Sequence, residues 1–146
     1  MSVACRLGVI YLAVAALTFA QPSLPEIWTN KMAGTIYRLT VKGQRFRAEK
    51  IFSPQFAAQA ADGAFVRCDY TPQGDAWAGK CESRLPFETS KNHVKWCKFN
   101  FTSKIILFTP GRIEGESDVW ETEDVEVNKC ELRKSHRQHF IWVPKE

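Results

Sequence analysis

The strongest structural signal lies in residues 64–83, which read AFVRCDYTPQGDAWAGKCES. Apolar and polar residues alternate on both sides of Gly74-Asp75, a pattern typical of two antiparallel strands joined by a two-residue turn. With this turn, Cys68 lies directly opposite Cys81. A turn one residue earlier would place Cys68 opposite Gly79 instead. The segment therefore predicts a β-hairpin and, with the first turn, a disulfide between its strands.

The other cysteines extend this prediction. Four cysteines follow residue 20, namely Cys68, Cys81, Cys97 and Cys130. An even number in an exported chain indicates two disulfides, and if the hairpin holds the first, Cys97 and Cys130 form the second. No two of the four have the C-x-x-C spacing that is typical of zinc sites and of thioredoxin-like redox sites.

The N-terminal residues have the features of a signal peptide. Arg6 precedes a run, residues 7–20, that is apolar except for a glycine and a threonine, and it ends with small residues where signal peptidase cleaves. We expect cleavage after Ala20, which removes Cys5 and leaves residues 21–146 as a single secreted or periplasmic domain. A membrane anchor is the alternative, but the run is shorter than the roughly 20 residues of a bilayer span.

Alternating apolar and polar residues continue along the rest of the chain. They predict strands at 37–42, 45–52, 64–70, 76–83, 94–100, 103–108, 112–120, 125–132 and 139–143. One short helix is predicted at about 53–62, since Ser53 can cap it, Pro54 fits its first turn and Gly63 can end it. Residues 21–33 are predicted to be a lead-in segment and residues 84–93 a loop.

Short strands and tight turns favour a small antiparallel β-barrel, with a two-sheet β-sandwich as the alternative. Gly79 and Gly115 lie inside predicted strands, where glycine often marks a bend or bulge of a curling sheet. With its early Trp28, its hairpins and its disulfides, the chain resembles the lipocalin-type barrels in outline. The Gly-x-Trp motif of that family is absent, because Thr29 and Asn30 follow Trp28 and the nearest glycine is Gly34.

The aromatic content points to a function for such a barrel. Alternation places Val66, Tyr70 and Trp77 on one face of the hairpin together with its cysteines, and they either fill the barrel or line an apolar cavity. The candidate ligand-binding residues are Tyr37, Leu39, Val66, Tyr70, Trp77, Trp96 and Trp120. We therefore expect a secreted, non-enzymatic barrel that binds an apolar or amphipathic small molecule.

A second hypothesis is a protein-interaction or inhibitor module with a filled core. It would present the loop 84–93 and the charged surface 114–137 to an extracellular protein, because an acidic run there is followed at once by a basic one. The acidic run comprises Glu114, Glu116, Asp118, Glu121, Glu123, Asp124 and Glu126. It lacks the spacing of a calcium loop and is interpreted as a solvated face.

No catalytic or cofactor motif is found. His136 and His139 are spaced for a helix turn, and on a strand they point to opposite faces, which argues against a metal site. A hydrolase would have to use Glu114 or Glu116 as a paired carboxylate. The mild net charge of +4 gives no indication of nucleic-acid binding. Asn100-Phe101-Thr102 is a glycosylation sequon that would matter in a eukaryotic source.

Overall fold

The computed structural model describes residues 23–90 and 92–146. The predicted signal peptide, with Cys5 and the cleavage position after Ala20, lies outside the described residues. None of the helices in the described part of the chain is long and apolar enough to cross a membrane.

The described chain forms a closed antiparallel barrel of eight strands, as predicted, rather than a two-sheet sandwich. The barrel strands are β1 Ile27–Asn30, β2 Ile36–Lys42, β3 Arg45–Ile51, β4 Phe65–Gln73, β5 Ala76–Glu88, β6 Val94–Thr109, β7 Arg112–Val119 and β10 His136–Pro144. Each strand pairs with its neighbour along the chain, except that β10 follows β7 and then closes the barrel against β1. The two remaining strands, β8 Val125–Glu126 and β9 Glu131–Leu132, form a separate small ladder.

The hairpin of β4 and β5 has the predicted register. Gln73 pairs with Ala76, so Gly74-Asp75 is the turn, and Gly74 has a φ of +61° that favours glycine. Cys68 pairs with Cys81 and is bonded to it.

The second predicted disulfide, Cys97–Cys130, is also present. The two bridges join residues 13 and 33 positions apart in sequence. In the loop-entropy model these separations correspond to stabilisation by about 3 and about 4 kcal/mol. The first bridge joins neighbouring strands within the barrel, whereas the second fastens the connection between β7 and β10 to β6.

Three predicted segments were wrong in detail. Residues 84–88 belong to β5 and not to a loop, because they continue its pairing with β6. Residues 94–100 and 103–108 form one long strand, β6, and not two. Residues 125–132 are not one strand, because the chain turns within them and Cys130 has a φ of +52°, which a strand cannot contain.

The predicted lead-in segment, residues 21–33, contains a barrel strand, β1. Trp28 of this strand is fully buried, and its indole N–H donates a hydrogen bond of 2.6 Å to the carbonyl oxygen of Pro25. Leu24 packs against the barrel core. The segment before β1 thereby covers one end of the barrel.

The helix lies where the sequence predicts it. A 3-10 turn, Pro54–Phe56, leads into α1, Ala57–Ala61, and Gly63 ends the helix with a φ of +97°. Ser53 occupies the capping position, but its side chain makes no capping hydrogen bond.

The two internal glycines have different structural roles. Gly115 lies beside a bulge in β6, where the pairing with β7 shifts between Ile105 and Leu107, as the sequence predicted. A Cβ at Gly115 would lie 2.1 Å from the carbonyl oxygen of Lys104. At Gly79 the pairing is regular, and the glycine instead makes room for the ring of Tyr70, 2.6 Å from an added Cβ.

Candidate functional site

The side chains inside the barrel change in size from one end to the other. At the end that holds the β2–β3, β4–β5 and β6–β7 turns they are large, and we call this part the filled half. Its members are Trp28, Leu39, Phe46, Trp77, Ile105, Phe108 and Ile113. Towards the opposite end the inward positions carry Thr35, Ala48, Val66, Ser103 and Ser117, and we call this part the cavity half.

The filled half is closely packed. The ring of Phe46 lies 4.8 Å from Tyr70, 5.2 Å from Trp77 and 5.2 Å from Phe108, measured between centroids. Ile105 and Ile113 are completely buried. Rings at these distances leave no room for a ligand in this half.

The cavity half encloses a cavity of about 310 Å³. Its lining runs from the exposed residues Met32, Gln138 and His139 to the buried residues Tyr70 and Ser103. The cavity therefore connects the surface at one end of the barrel with the centre of the barrel. Its volume is at the lower end of the range of about 300–1,000 Å³ that is typical of small-molecule sites.

Aromatic rings form one wall of the cavity. The indole of Trp142 is stacked between Tyr37, at 4.7 Å, and Phe140, at 4.6 Å. Tyr70 meets the same indole edge-on at 6.3 Å. The stacking holds these rings in place, so they present a fixed apolar surface to the cavity.

Two hydroxyl groups lie at the buried end of the cavity. Tyr70 donates a hydrogen bond of 2.9 Å to Oγ of Ser103, and Ser103 donates one of 3.2 Å to the carbonyl oxygen of Glu116. Burial raises the pKa of Tyr70, which outweighs the opposite effect of its bond to Ser103. Both hydroxyls therefore have partners within the protein, and Tyr70 stays neutral over the physiological range of pH.

Two other polar groups of the lining have no such partner. Trp142 is 4% exposed, and its buried indole N–H has no hydrogen-bond acceptor. Lys50 is half-buried on the face of β3 that also carries Phe46 and Ala48, and it forms no salt bridge within residues 23–90 and 92–146. Burial lowers the pKa of the Lys50 ammonium group.

The carboxylate of the lining is already engaged. Asp118 accepts hydrogen bonds of 2.9 Å from both the backbone N–H and the hydroxyl of Thr102. Its other oxygen lies 3.4 Å from Nη1 of Arg137. Arg67 is also among the lining residues, and its guanidinium is paired with Glu82 on the outer face.

Four of the seven predicted ligand-binding residues line the cavity, namely Tyr37, Val66, Tyr70 and Trp120. Trp120 also packs edge-on against Phe99 and Phe101, at 5.0 and 4.7 Å, and so joins the cavity to a second apolar cluster under the β7–β10 connection. Leu39 and Trp77 lie in the filled half.

Trp96 is the remaining predicted residue, and it lies apart from the cavity. The Arg84 guanidinium is stacked over its ring at 4.1 Å. This arrangement gives Trp96 a structural partner of its own on the long β5–β6 hairpin.

The sequence interpretation missed the polar residues of the cavity and part of its aromatic wall. Phe140 and Trp142 could have been found, because they alternate within the predicted strand 139–143 and so share one face. Lys50, Ser103 and Ser117 also alternate with apolar residues of their strands, but as polar side chains they were not expected inside the barrel.

A second recess, of about 400 Å³, lies between α1 and the adjoining ends of β2 and β3. Ala57 and Ala60, which contribute to it, are exposed, and Lys50 belongs to its wall as well as to that of the cavity. Apart from Ala64 its lining is exposed or half-buried and includes none of the barrel's aromatic wall, so the cavity of the barrel is the better candidate site.

Part of the charge on the surface 114–137 is taken up by ion pairs and backbone contacts. Glu114 pairs with Arg112, and Glu126 pairs with Arg133. Glu121 and Asp124 cap a 3-10 turn, Thr122–Asp124, through reciprocal hydrogen bonds with the backbone. These local pairs leave fewer charges free for a partner than the sequence suggested.

The two histidines of the C-terminal strand are in different surroundings. His136 pairs with Val119, and His139 pairs with Glu116. Within residues 23–90 and 92–146, no group of three or more His, Cys, Asp or Glu side chains is close enough to hold a metal ion. Asn100 of the sequon is exposed on the outer face of β6.

Comparison of the chain with protein-family models, with curated proteins and with solved structures finds no match. The function has to be inferred from the residues of the chain itself.

Proposed function

We propose that this chain is a secreted or periplasmic, non-enzymatic β-barrel protein that binds an apolar or amphipathic small molecule in its cavity. The observation that carries the proposal is the cavity of about 310 Å³, which leads from exposed residues to a buried aromatic wall. Burial of an apolar ligand there would release about 25 cal/mol for each Å² removed from water.

The shape of the barrel supports this function over a protein-interaction module with a filled core. The filled half is closely packed throughout, whereas in the cavity half small inward residues lie beside the aromatic wall and leave the cavity open. Of the segment 84–93, residues 84–88 are held in β5 and are not a free loop. Two ion pairs within 114–137, Glu126–Arg133 and Asp118–Arg137, withdraw part of its charge from a partner.

Intrinsic tryptophan fluorescence provides the test, because Trp120 and Trp142 both line the cavity. We expect saturable changes in their emission when decanoate or decanol is titrated into the protein. In the variant Ser117→Phe the added ring would occupy the cavity, and we expect affinity to fall by about tenfold or more, on the scale of one well-placed group.

Thr40→Phe is the matched control, since Thr40 is exposed on the outer face of β2. It adds the same ring to the surface and should leave the titration unchanged. A flat response of the unsubstituted protein to a panel of lipophilic molecules would overturn the proposal, as would equal effects of the two substitutions.

A further inference from the structure

Among the polar groups described for the cavity lining, two lack a partner in the described chain. The indole N–H of Trp142 has no acceptor but is itself closed off from the cavity, whereas the half-buried Lys50 carries an ammonium group with no salt bridge among the described residues. The hydroxyls of Tyr70 and Ser103 are bonded in sequence to the carbonyl oxygen of Glu116. A ligand that engages this ammonium group brings acceptor oxygens to it.

The charged residues of the lining support the same conclusion. Asp118 is occupied by Thr102 and Arg137, and Arg67 is occupied by Glu82. This leaves Lys50, at the boundary between the cavity and the recess beside α1, as the cation of the lining without an ion-pair partner in the described chain. Its ammonium lies 5.2 Å from the ring centroid of Phe52, a contact that compensates only part of its desolvation.

We propose that the cavity selects an anionic amphiphile whose negatively charged oxygen atoms are held by Lys50 while its apolar chain lies along the aromatic wall. The inference rests on the proposed function, because it specifies the ligand class of the same cavity. A carboxylate beside Lys50 would supply the missing counter-charge, and it would raise the pKa that burial lowers in the free protein. An amine would place a second cation beside Lys50 and is disfavoured.

Three ligands of equal chain length test the charge preference: decanoate, decanol and decylamine. We expect the unsubstituted protein to bind decanoate about tenfold or more tightly than decanol, on the scale of a charge-assisted hydrogen bond, and decylamine most weakly. Calorimetric titration at neutral pH and fixed salt measures all three affinities.

Substitution of Lys50 tests the role of the side chain. In Lys50→Met we expect decanoate to lose about tenfold or more in affinity and decanol to change little, because the apolar wall is intact. Lys50→Arg retains the charge and should retain the preference for decanoate. Lys31→Met is the matched control, since Lys31 is an exposed lysine of the β1–β2 connection at the same end of the barrel.

The outcomes separate this inference from the proposed function. Equal binding of decanoate and decanol by the unsubstituted protein, or tightest binding of decylamine, would overturn the charge preference but leave the ligand-binding function. An equal loss in Lys31→Met and Lys50→Met would overturn the role of Lys50, because general surface attraction would then explain the preference. No binding of any of the three ligands would overturn both proposals.

Discussion

The filled half and the cavity half are built from the same strands and differ in the size of their inward side chains. Along β3 the inward positions carry Phe46, then Ala48, then Lys50, and along β7 they carry Ile113, then Gly115, then Ser117. The same alternation runs through both halves, so alternation establishes the barrel, whereas side-chain volume determines where it is hollow. The difference separates residues that stabilise the fold from residues available for a ligand.

The largest expected effect comes from removing a ring from the filled half. Phe46→Ala should lower the free energy of unfolding by about 3–5 kcal/mol, because Phe46 is buried among three other rings and leaves a cavity that cannot collapse. Val66→Ala, in the half-buried wall of the cavity, should cost about 1 kcal/mol, since part of its surface already borders open space. Urea unfolding monitored by circular dichroism measures both.

Equal losses in Phe46→Ala and Val66→Ala would break the comparison, because they would show that the two halves support the fold alike. A loss in Val66→Ala without any change in ligand affinity would show that the wall contributes to folding and not to binding.

A smaller effect is expected from adding volume to β7. Ile113→Phe places extra atoms in the filled half and should lower the free energy of unfolding by about 1–3 kcal/mol through overpacking. Ser117→Phe places its ring in the cavity, so we expect a change of less than about 1 kcal/mol in either direction.

Thermal unfolding of Ile113→Phe and Ser117→Phe in the absence of ligand gives the measurement. The unsubstituted protein is the reference. If Ser117→Phe unfolds at as low a temperature as Ile113→Phe, the cavity is not open to a ring of that size. The use of Ser117→Phe as a blocking variant would then have to be abandoned.

The barrel itself could be predicted from the sequence because its signals are local. The alternation around Gly74-Asp75 determines the register of β4 and β5, and that register determines which cysteine faces Cys68. The predicted strand boundaries were wrong where the length of a strand depends on hydrogen bonds to a neighbouring strand. Residues 84–88 alternate at Leu85 and Phe87 but contain Pro86, which disfavours a strand interior, and they are extended because β6 provides hydrogen-bonding partners for them.

The cavity could be predicted only in part. Tyr37, Val66, Tyr70 and Trp120 were found because aromatic and β-branched residues at alternating positions indicate an interior face. The sequence could not show which interior residues border empty space, since Leu39 and Trp77 have the same pattern and lie in the filled half. That distinction depends on volumes contributed by several strands at once.

The position of Lys50 was beyond sequence interpretation for a different reason. Alternation places Lys50 on the face of Phe46 and Ala48, but a lysine at the end of a strand is ordinarily solvated, so the sequence alone does not make it a lining residue. It is revealed by the closure of the barrel, which brings the end of β3 into the same lining as β7 and β10. Long-range closure is the part of the structure that local patterns describe least well.

The smallest expected effect lies on the outer face, which both halves share. Arg67 and Lys98 donate to Glu82, and these bonds, Arg67 first, lower the pKa of Glu82 below its reference value of 4.5. A lowered carboxyl pKa adds stability at pH values above the reference pKa, and that stability is lost as pH falls through the folded-state pKa.

Because solvent and salt screen this surface, Glu82→Gln should lower the free energy of unfolding at neutral pH by at most about 1 kcal/mol. The difference should fade as the solution is acidified below pH 4.5. Urea unfolding at a series of pH values measures the difference, and decanoate affinity is measured alongside it, because Glu82→Gln also removes the ion-pair partner of Arg67, a residue of the cavity lining. A difference that is undiminished in acid would show that the substitution acts through packing and not through charge, and altered affinity would show that the outer face is coupled to the cavity half.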